Sequence, residues 1–423
     1  MGGLPDWSNC ATISATLSTT VVVGARREQH RRFEVRRSSP LGEAAPCEAA
    51  WPMSAVLSSL ARGGGSDAEP PWCRPVMMAL QLLAQTDRLG DLSDGVVVEF
   101  EAAPRPSALG GADTALTAAC LQAISALCEK PLDHAVVMRL DRIEGPVHRA
   151  GCIHRYMTCL FGEPRSLLLV RRDSQPPAIP VELPAGVCVS AAEVRPQRPI
   201  QAARVIESDV AAAIGLRLIQ RLLNKPGAAN DPRGGLAAVT TQEYVEQLRM
   251  RLPPRLKGKQ VLDMLGSWDD ANGPLEAERT YKPRSRAEHH IYENERVQDF
   301  IACLHRARRS GDEAALADAG TLMFASHWSE SQRYGLGSVE TDAVVTAVRK
   351  LGPAGGLFGA RLAATGDGCL MVILMRDTEA AREALDRIAR DLSQRFGSPI
   401  SVRGGSDGGA CIQGAHVSTS MKT

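Results

Sequence analysis

The chain has 423 residues, 44% of them apolar and 23% charged, enough for two domains with separate cores. A net charge of +1 provides no global field for nucleic acid or an anionic membrane, so neither is expected as a partner. No apolar run reaches the length of a membrane span, and the eleven cysteines form no CxxC pair or regular spacing, which argues against a disulfide framework and for reduced thiols in the cytoplasm. The opening MGGLPDWSNC has neither the basic nor the apolar region of a secretory signal.

In chain order, a Gly-Gly-Leu-Pro-Asp-Trp turn leads to two expected strands, TTVVVGA and RRFEVRRSS, around a turn. The six arginines from Arg26 to Arg37 alternate with apolar residues, the pattern of an exposed strand rather than a nucleic-acid surface. A loop over 62–71 precedes a helix over 72–85, with Met77, Leu80, Leu83 and Ala84 near helical spacing. GVVVEFEAAP reads as a strand. A Gly-containing turn and an Ala-rich helix follow in RPSALGGADTALTAACLQAISALCE, with Asp113 or Thr114 near the helix start. Such a junction turns free N–H groups and the positive helix end toward an anion, although an ordinary capped helix start reads the same way.

A further helix is expected over 133–142, then strands SLLLVRR and GVCVSAAEV separated by a Pro-rich link. An amphipathic helix over 201–223, short helices within 225–285 and a helix on HIYENERVQDFIACLHRARRS come next. Residues 320–375 hold a helical pattern with Leu322, Met323 and His327, a Gly-rich turn and a helix over 341–350. They continue with FGARL, a small-residue loop with Gly366 and Gly368, and the apolar strand LMVILM. A strongly amphipathic helix, TEAAREALDRIARDLSQRFG, precedes a final strand, a Gly-rich turn and a frayed tail. The elements alternate without the rhythm of a doubly wound sheet, so the expected class is α+β in two domains, 1–200 and 201–423.

Several stretches, in order, resemble the motifs of the GHMP kinases (galactokinase, homoserine, mevalonate and phosphomevalonate kinases), nearest the galactokinase and L-arabinokinase branch. MGGLPDWS resembles the tail of the first motif, and PRPSALGGADTAL the second, phosphate-cradling motif. EGPVHRAGCIHRYMTCLFGE occupies the place of the segment with the catalytic aspartate. YKPRSRAEHHIYENERVQDF resembles a family helix with a His-x-Ile-Tyr-Glu-Asn-x-Arg-Val core, residues 320–375 the third motif, and RGGSDGGACIQG the closing segment. HIYEN and LGSVETD are the most specific matches.

The resemblance implies a two-domain fold, with an N-terminal βαβ phosphate-loop domain, a C-terminal ferredoxin-like domain, and ATP and sugar in the cleft between them. It implies ATP and Mg²⁺ as cofactors and a monosaccharide of the galactose or arabinose type as substrate, phosphorylated on its anomeric hydroxyl to a sugar 1-phosphate. It places Asp6 on the sugar, Ser107, Gly110, Gly111 and Thr114 in the phosphate loop, Glu144 at the metal, and Gly366 and Gly368 in the third motif. Because the chain begins inside the first motif, the first strand of the N-terminal domain is expected to be missing, leaving a sheet edge unpaired.

The residues depart from this pattern where chemistry is required. Phosphoryl transfer needs a triphosphate cradle, a metal carboxylate and a group that activates the acceptor hydroxyl. Ala112 and Asp113 fall in the family's serine run, where alanine offers no oxygen and an aspartate repels a phosphate unless it holds the metal. Arg155 occupies the position of the catalytic aspartate, and arginine cannot accept a proton at neutral pH. His148 and His154 are nearby titratable groups, and HRAGCIH also has a weak look of a metal-ligand cluster. The glycine run of the third motif reads Ala364, Thr365, Gly366, Asp367, Gly368, Cys369. Three readings remain open: a non-catalytic, pseudokinase-like sugar or nucleotide binder; an active sugar kinase; and a truncated or decaying gene product.

Overall fold

A computed structural model describes residues 1, 10–18, 21–38, 47–61, 70–90, 92–101, 112–139, 152–171, 174–223, 235–269, 273–365, 368–405 and 407–415. The elements run β1 Thr12–Ser14, β2 Val23–Arg27, β3 Arg32–Ser38, β4 Cys47–Pro52, α1 Met53–Ala61, α2 Arg74–Gln85, β5 Val96–Glu101, α3 Ala112–Leu127, α4 His134–Val137 and α5 Cys152–Phe161. They continue with β6 Ser166–Val170, β7 Ala178–Glu182, β8 Val187–Val194, α6 Ala202–Leu222, α7 Thr241–Glu243, β9 Leu256–Lys257, α8 Gly258–Leu265 and β10 Thr280–Tyr281. The chain closes with α9 Pro283–Ser310, α10 Glu313–Trp328, α11 Val339–Leu351, β11 Leu357–Thr365, β12 Cys369–Arg376, α12 Glu379–Phe396, β13 Ile400–Arg403 and α13 Ala410–Gln413. Two units form, interleaved in sequence where a single boundary at residue 200 was expected. One takes the described residues of Met1–Ser18 and Arg165–Ser406, the other those of Thr19–Gly145, Cys152–Pro164 and Asp407–Thr423.

The second unit is built on a four-stranded sheet in the order β2-β5-β3-β4. The two strands expected around a turn form as β2 and β3 but do not pair with each other. β5 lies between them, antiparallel to β2 and parallel to β3. The reason is burial: VVVEF is the most apolar of the strands and takes an interior position. Phe33, Val35, Val96 and Val98 are fully buried, and α3 packs against β2. On the exposed side Glu99 pairs with Arg26 at 2.8 Å and with Arg36 at 3.2 Å, so those arginines form a solvated charge ladder. The helix expected over 133–142 is cut to the four residues of α4, capped by Asp133 accepting from Val136 N–H.

The first unit contains two sheets that position the later motifs. One is three-stranded, β1-β6-β7. Its strand β7 lies in what reads as a Pro-rich link. Pro180 is tolerated because β7 is an edge strand, where a missing N–H costs no ladder bond. The other sheet runs β11-β12-β8-β13, all antiparallel. With helices between β8 and β11 and α12 between β12 and β13, this is the β-α-β-β-α-β order of a ferredoxin-like domain.

Helix α6 is less amphipathic than expected. Residues 210–216 are buried all round, because Ala212 faces one core cluster while Val210, Ala211 and Ile214 face another. LGSVETD starts its helix with a capping box: Ser338 Oγ accepts from Thr341 N–H at 3.2 Å, and Thr341 Oγ1 accepts from Ser338 N–H at 2.9 Å. Helix α10 runs on into a π-helical turn, Ser329–Tyr334, that ends at Gly335 in the left-handed region. Its terminal carbonyls are satisfied by side chains. Ser285 and Arg286 donate to Arg333 O, Ser208 to Tyr334 O at 2.9 Å, and Arg204 to Gly335 O at 2.9 Å.

Candidate functional site

In the second unit, β5 ends at Glu101 and α3 begins at Ala112. Ser107, Gly110 and Gly111 fall between them, and Asp6, Glu144, His148 and Gly366 elsewhere, all outside the described residues. The first turn of α3 holds an exposed Asp113 and a buried Thr114, 5% exposed. The 16-residue helix α3 presents its positive end at this junction, but its first turn carries a carboxylate and a shielded hydroxyl. Helix α5 packs against α3 and carries Arg155, half-buried, in its first turn. Beside it, burial and then the Arg155 guanidinium push the His154 imidazole down to about 3. His154 is therefore neutral at pH 7 and too weak a base to take a proton from a sugar hydroxyl. The sequence of α5, CIHRYMTCLF, contains no carboxylate.

In the first unit, the third motif forms the hairpin of β11 and β12. Leu362 pairs with Met371 and Ala364 with Leu370, so Ala363 is an extra residue at a register shift just before the loop. Gly368 is buried just before the return strand. Burial pushes the neighbouring Cys369 thiol up to about 12, so it stays protonated.

Behind β11 lies a buried charge network that sequence reasoning missed. Arg361 of β11, Glu330 and Glu293 are 5%, 2% and 0% exposed. His289 Nε2 lies 3.1 Å from Glu330 Oε2, and its Nδ1 3.0 Å from Ser329 Oγ. Arg361 Nη2 is 3.6 Å from the same Glu330 oxygen. Ser326 donates to Glu293 Oε2 at 2.8 Å, and Arg296 donates to its other oxygen. Burial alone would raise the Glu293 carboxyl; the Arg361, Arg296 and His289 charges and the Ser326 hydrogen bond overcome it and hold Glu293 at about 2. Glu330 is held below its ordinary range against burial by His289 and Arg361. Burial and then His289 push His290 well down, leaving it neutral. These groups are closed off from solvent, so they hold α9, the π-turn and β11 together rather than meet a ligand. The available signal was the helical spacing of His289, Glu293 and Arg296 within HIYENER and the residue before it, which puts three polar residues on one face of a helix.

A cavity of about 650 Å³ lies between α11 and α12, lined in part by Lys350, Leu351, Arg376 and Arg387. Among the described residues, the sequence-predicted Thr114, Arg155 and Gly368 do not border it. Among the described residues, no cluster of three His, Cys, Asp or Glu side chains could hold a metal ion. By themselves the described residues do not fit a magnesium triphosphate. The start of α3 offers one carboxylate and a shielded hydroxyl, and α5 offers an arginine and no carboxylate.

No protein-family model matches the chain. A curated relative, L-arabinokinase of Arabidopsis thaliana, is 27% identical over 180 residues, which is 41% of this chain and 17% of the relative's own length. The galactokinase of Lactococcus lactis, solved in complex with galactose, superposes with a TM-score of 0.66 at 18% identity, covering 97% of this chain and 91% of that one. A mevalonate kinase superposes at 0.53 with 11% identity over 94% of each chain. Mevalonate kinase of L. major, in complex with R-mevalonate, does so at 0.51 with 14% identity over 96% and 93%. At these identities the likeness is one of fold. The chain has the GHMP kinase fold expected from its motifs, α+β throughout, and resembles the galactokinase-like branch of that superfamily.

Proposed function

We propose that the chain is a GHMP-fold sugar-kinase homologue that binds a monosaccharide of the galactose or arabinose type, or a nucleotide, without efficient phosphoryl transfer. The observation that carries this reading is Arg155. The reaction breaks the bond between the γ-phosphorus of ATP and its bridging oxygen and forms one from phosphorus to the anomeric oxygen, and the hydroxyl proton must leave. Arg155 stands in the first turn of α5, which holds no carboxylate, and the neighbouring imidazole is too weak a base. Asp6, Glu144, Ser107, Gly110, Gly111, Thr114, Gly366 and Gly368 remain the residues proposed to face sugar, metal and phosphate, by resemblance.

A second reading, an active ATP- and Mg²⁺-dependent sugar 1-kinase, is favoured by the full-length likeness of fold to a galactokinase and by the arabinokinase relative. Incubation with labelled Mg·ATP and galactose or L-arabinose, read as sugar 1-phosphate, decides between them, alongside thermal shift with each ligand. Binding without turnover supports the proposal, and product formation overturns it in favour of the kinase. No response to any ligand favours a decayed gene product. Replacement Arg155→Asp is expected not to restore turnover, because the first turn of α3 is altered as well. Sugar 1-phosphate from that single variant would refute this. No helix among the described residues is long and apolar enough to cross a membrane, and a cytoplasmic location accords with the scattered thiols.

A further inference from the structure

The end of α10, the π-turn that follows it and the capped start of α11 bring three side chains together, His327, Ser331 and Asp342. His327, near the end of α10, is 4% exposed and uses both ring nitrogens. Its Nδ1 accepts from the backbone N–H of Leu362 at 3.2 Å. Its Nε2 lies 2.9 Å from Asp342 Oδ1 of α11, which also accepts from Ser331 Oγ at 2.9 Å. The tautomer follows from the partners. An amide N–H can meet only an unprotonated Nδ1, so the proton sits on Nε2 and is donated to Asp342. Burial would raise the Asp342 carboxyl, but the hydrogen bonds from His327 and Ser331 hold it below its ordinary range, so it is ionised and fixes that tautomer.

The backbone group that receives this support is what makes the arrangement informative. β11 is an edge strand of its sheet, and Leu362 stands at the register shift, one residue before the extra Ala363. Thr365 ends β11 three residues on, and Gly368 lies just before the return strand. A bulge is a place where the strand ladder specifies the path weakly, so an external acceptor there selects one path. A phenyl ring at position 327 would fill much the same volume but could not accept the Leu362 amide.

We propose that His327 is a positioning residue for the end of β11, its Nδ1 holding the Leu362 amide and Asp342 fixing its tautomer, and that the strand end so held bears on the nucleotide binding proposed above. The ligand part of this inference rests on the nucleotide-binding reading above, while the backbone part does not.

Two variants separate acceptor from packing. In His327→Asn the amide oxygen falls near the place of Nδ1 and keeps the acceptor, whereas in His327→Gln the side chain reaches toward Asp342 and gives up the acceptor. Both lose the ring. The amides of 362–365 are expected to exchange hydrogen faster in His327→Gln than in His327→Asn. Mg·ATP affinity by titration calorimetry is expected to fall about five- to tenfold in His327→Gln and to stay within about twofold of the parent in His327→Asn. Equal exchange and equal affinity in the two variants overturn the proposal. If the parent chain does not bind Mg·ATP, the nucleotide reading fails and the exchange comparison alone decides the positioning role. Should both variants unfold, Asp342→Ala serves instead, since that side chain is 43% exposed. It frees the tautomer, and unchanged exchange at Leu362 would then refute the inference.

Discussion

Gly320→Ala is a substitution for which two physical effects predict opposite signs. In the interior of a helix, alanine is favoured over glycine by about 1 kcal/mol, so propensity alone predicts stabilisation. The structure predicts the reverse. Helix α10 meets β11 backbone to backbone: a Cβ on Gly359 would lie 2.5 Å from Gly320 Cα and 2.9 Å from its carbonyl oxygen, and a Cβ on Gly320 would overlap the carbonyl of Phe358. The obstacle is main chain, so no side-chain rotation relieves it. Restoring an ordinary contact of about 3.5 Å between the new Cβ and the Phe358 carbonyl moves the helix outward by more than about 1 Å, enough to forfeit about half of the dispersion energy across the contact. Ala315, Ala319, Met323 and Phe358 share the affected cluster. Overpacking of this kind costs about 1–3 kcal/mol, at the upper end where backbone must move. After the helix gain, a net loss of about 2 kcal/mol is expected, or about 4–8 °C in the melting transition of that unit. Calorimetry of parent and variant tests it. A neutral or higher transition temperature would show that the backbone contact is not as tight as described.

Two ionisable groups give pH-dependent predictions of opposite sign. Glu293 is held at about 2 against an ordinary 4.5, so its contribution is full above about pH 4.5 and disappears as pH falls toward 2, amounting to about 3 kcal/mol. Glu293→Gln should flatten that part of the acid limb and, by removing the carboxylate that pairs with Arg296 and offsets part of the Arg361 charge, cost about 3–5 kcal/mol at pH 7. An unaltered acid limb in denaturant titrations would contradict this. Asp209 goes the other way: burial raises it to about 7, opposed by the hydrogen bond from Tyr334 and aided by Glu330. The folded state then holds its proton more tightly than the unfolded state, so stability falls as pH rises from about 4 to 7. Asp209→Asn, which can still accept from Tyr334, should stabilise the chain by about 1–2 kcal/mol at pH 8, after allowance for partial exposure, and leave it unchanged below pH 4. Equal stability of the two forms at pH 8 would rule this out.

Helices such as α3, α9 and α12 and the apolar strands β5, β8 and β12 were legible in the sequence because each carries its own periodicity, whereas α1 was not read and the helix expected over 133–142 shrank to α4. What was not legible depends on partners distant in the chain. VVVEF reads as a strand, but its place between the two Arg-rich strands follows from which strand most needs burial, and that is a comparison among strands. The strand β7 was hidden because Pro180 argues against a strand unless the strand is at an edge, and edge position is a property of the sheet. HIYEN was legible as a motif and not as buried charge, since Arg361, Ser326 and Glu330, which neutralise or bond the polar groups of this helix, lie on later elements; Ser326, on α10, is 33 residues from Glu293. The same reasoning bears on activity. A fold is specified by many weak, redundant contacts and tolerates change, whereas proton removal depends on a single group with a suitable pKa at one position. On the proposed reading of Arg155 as the residue at that position, the requirement is lost while α3, α5 and the β11–β12 hairpin remain in place, so a GHMP kinase fold and turnover are separate properties.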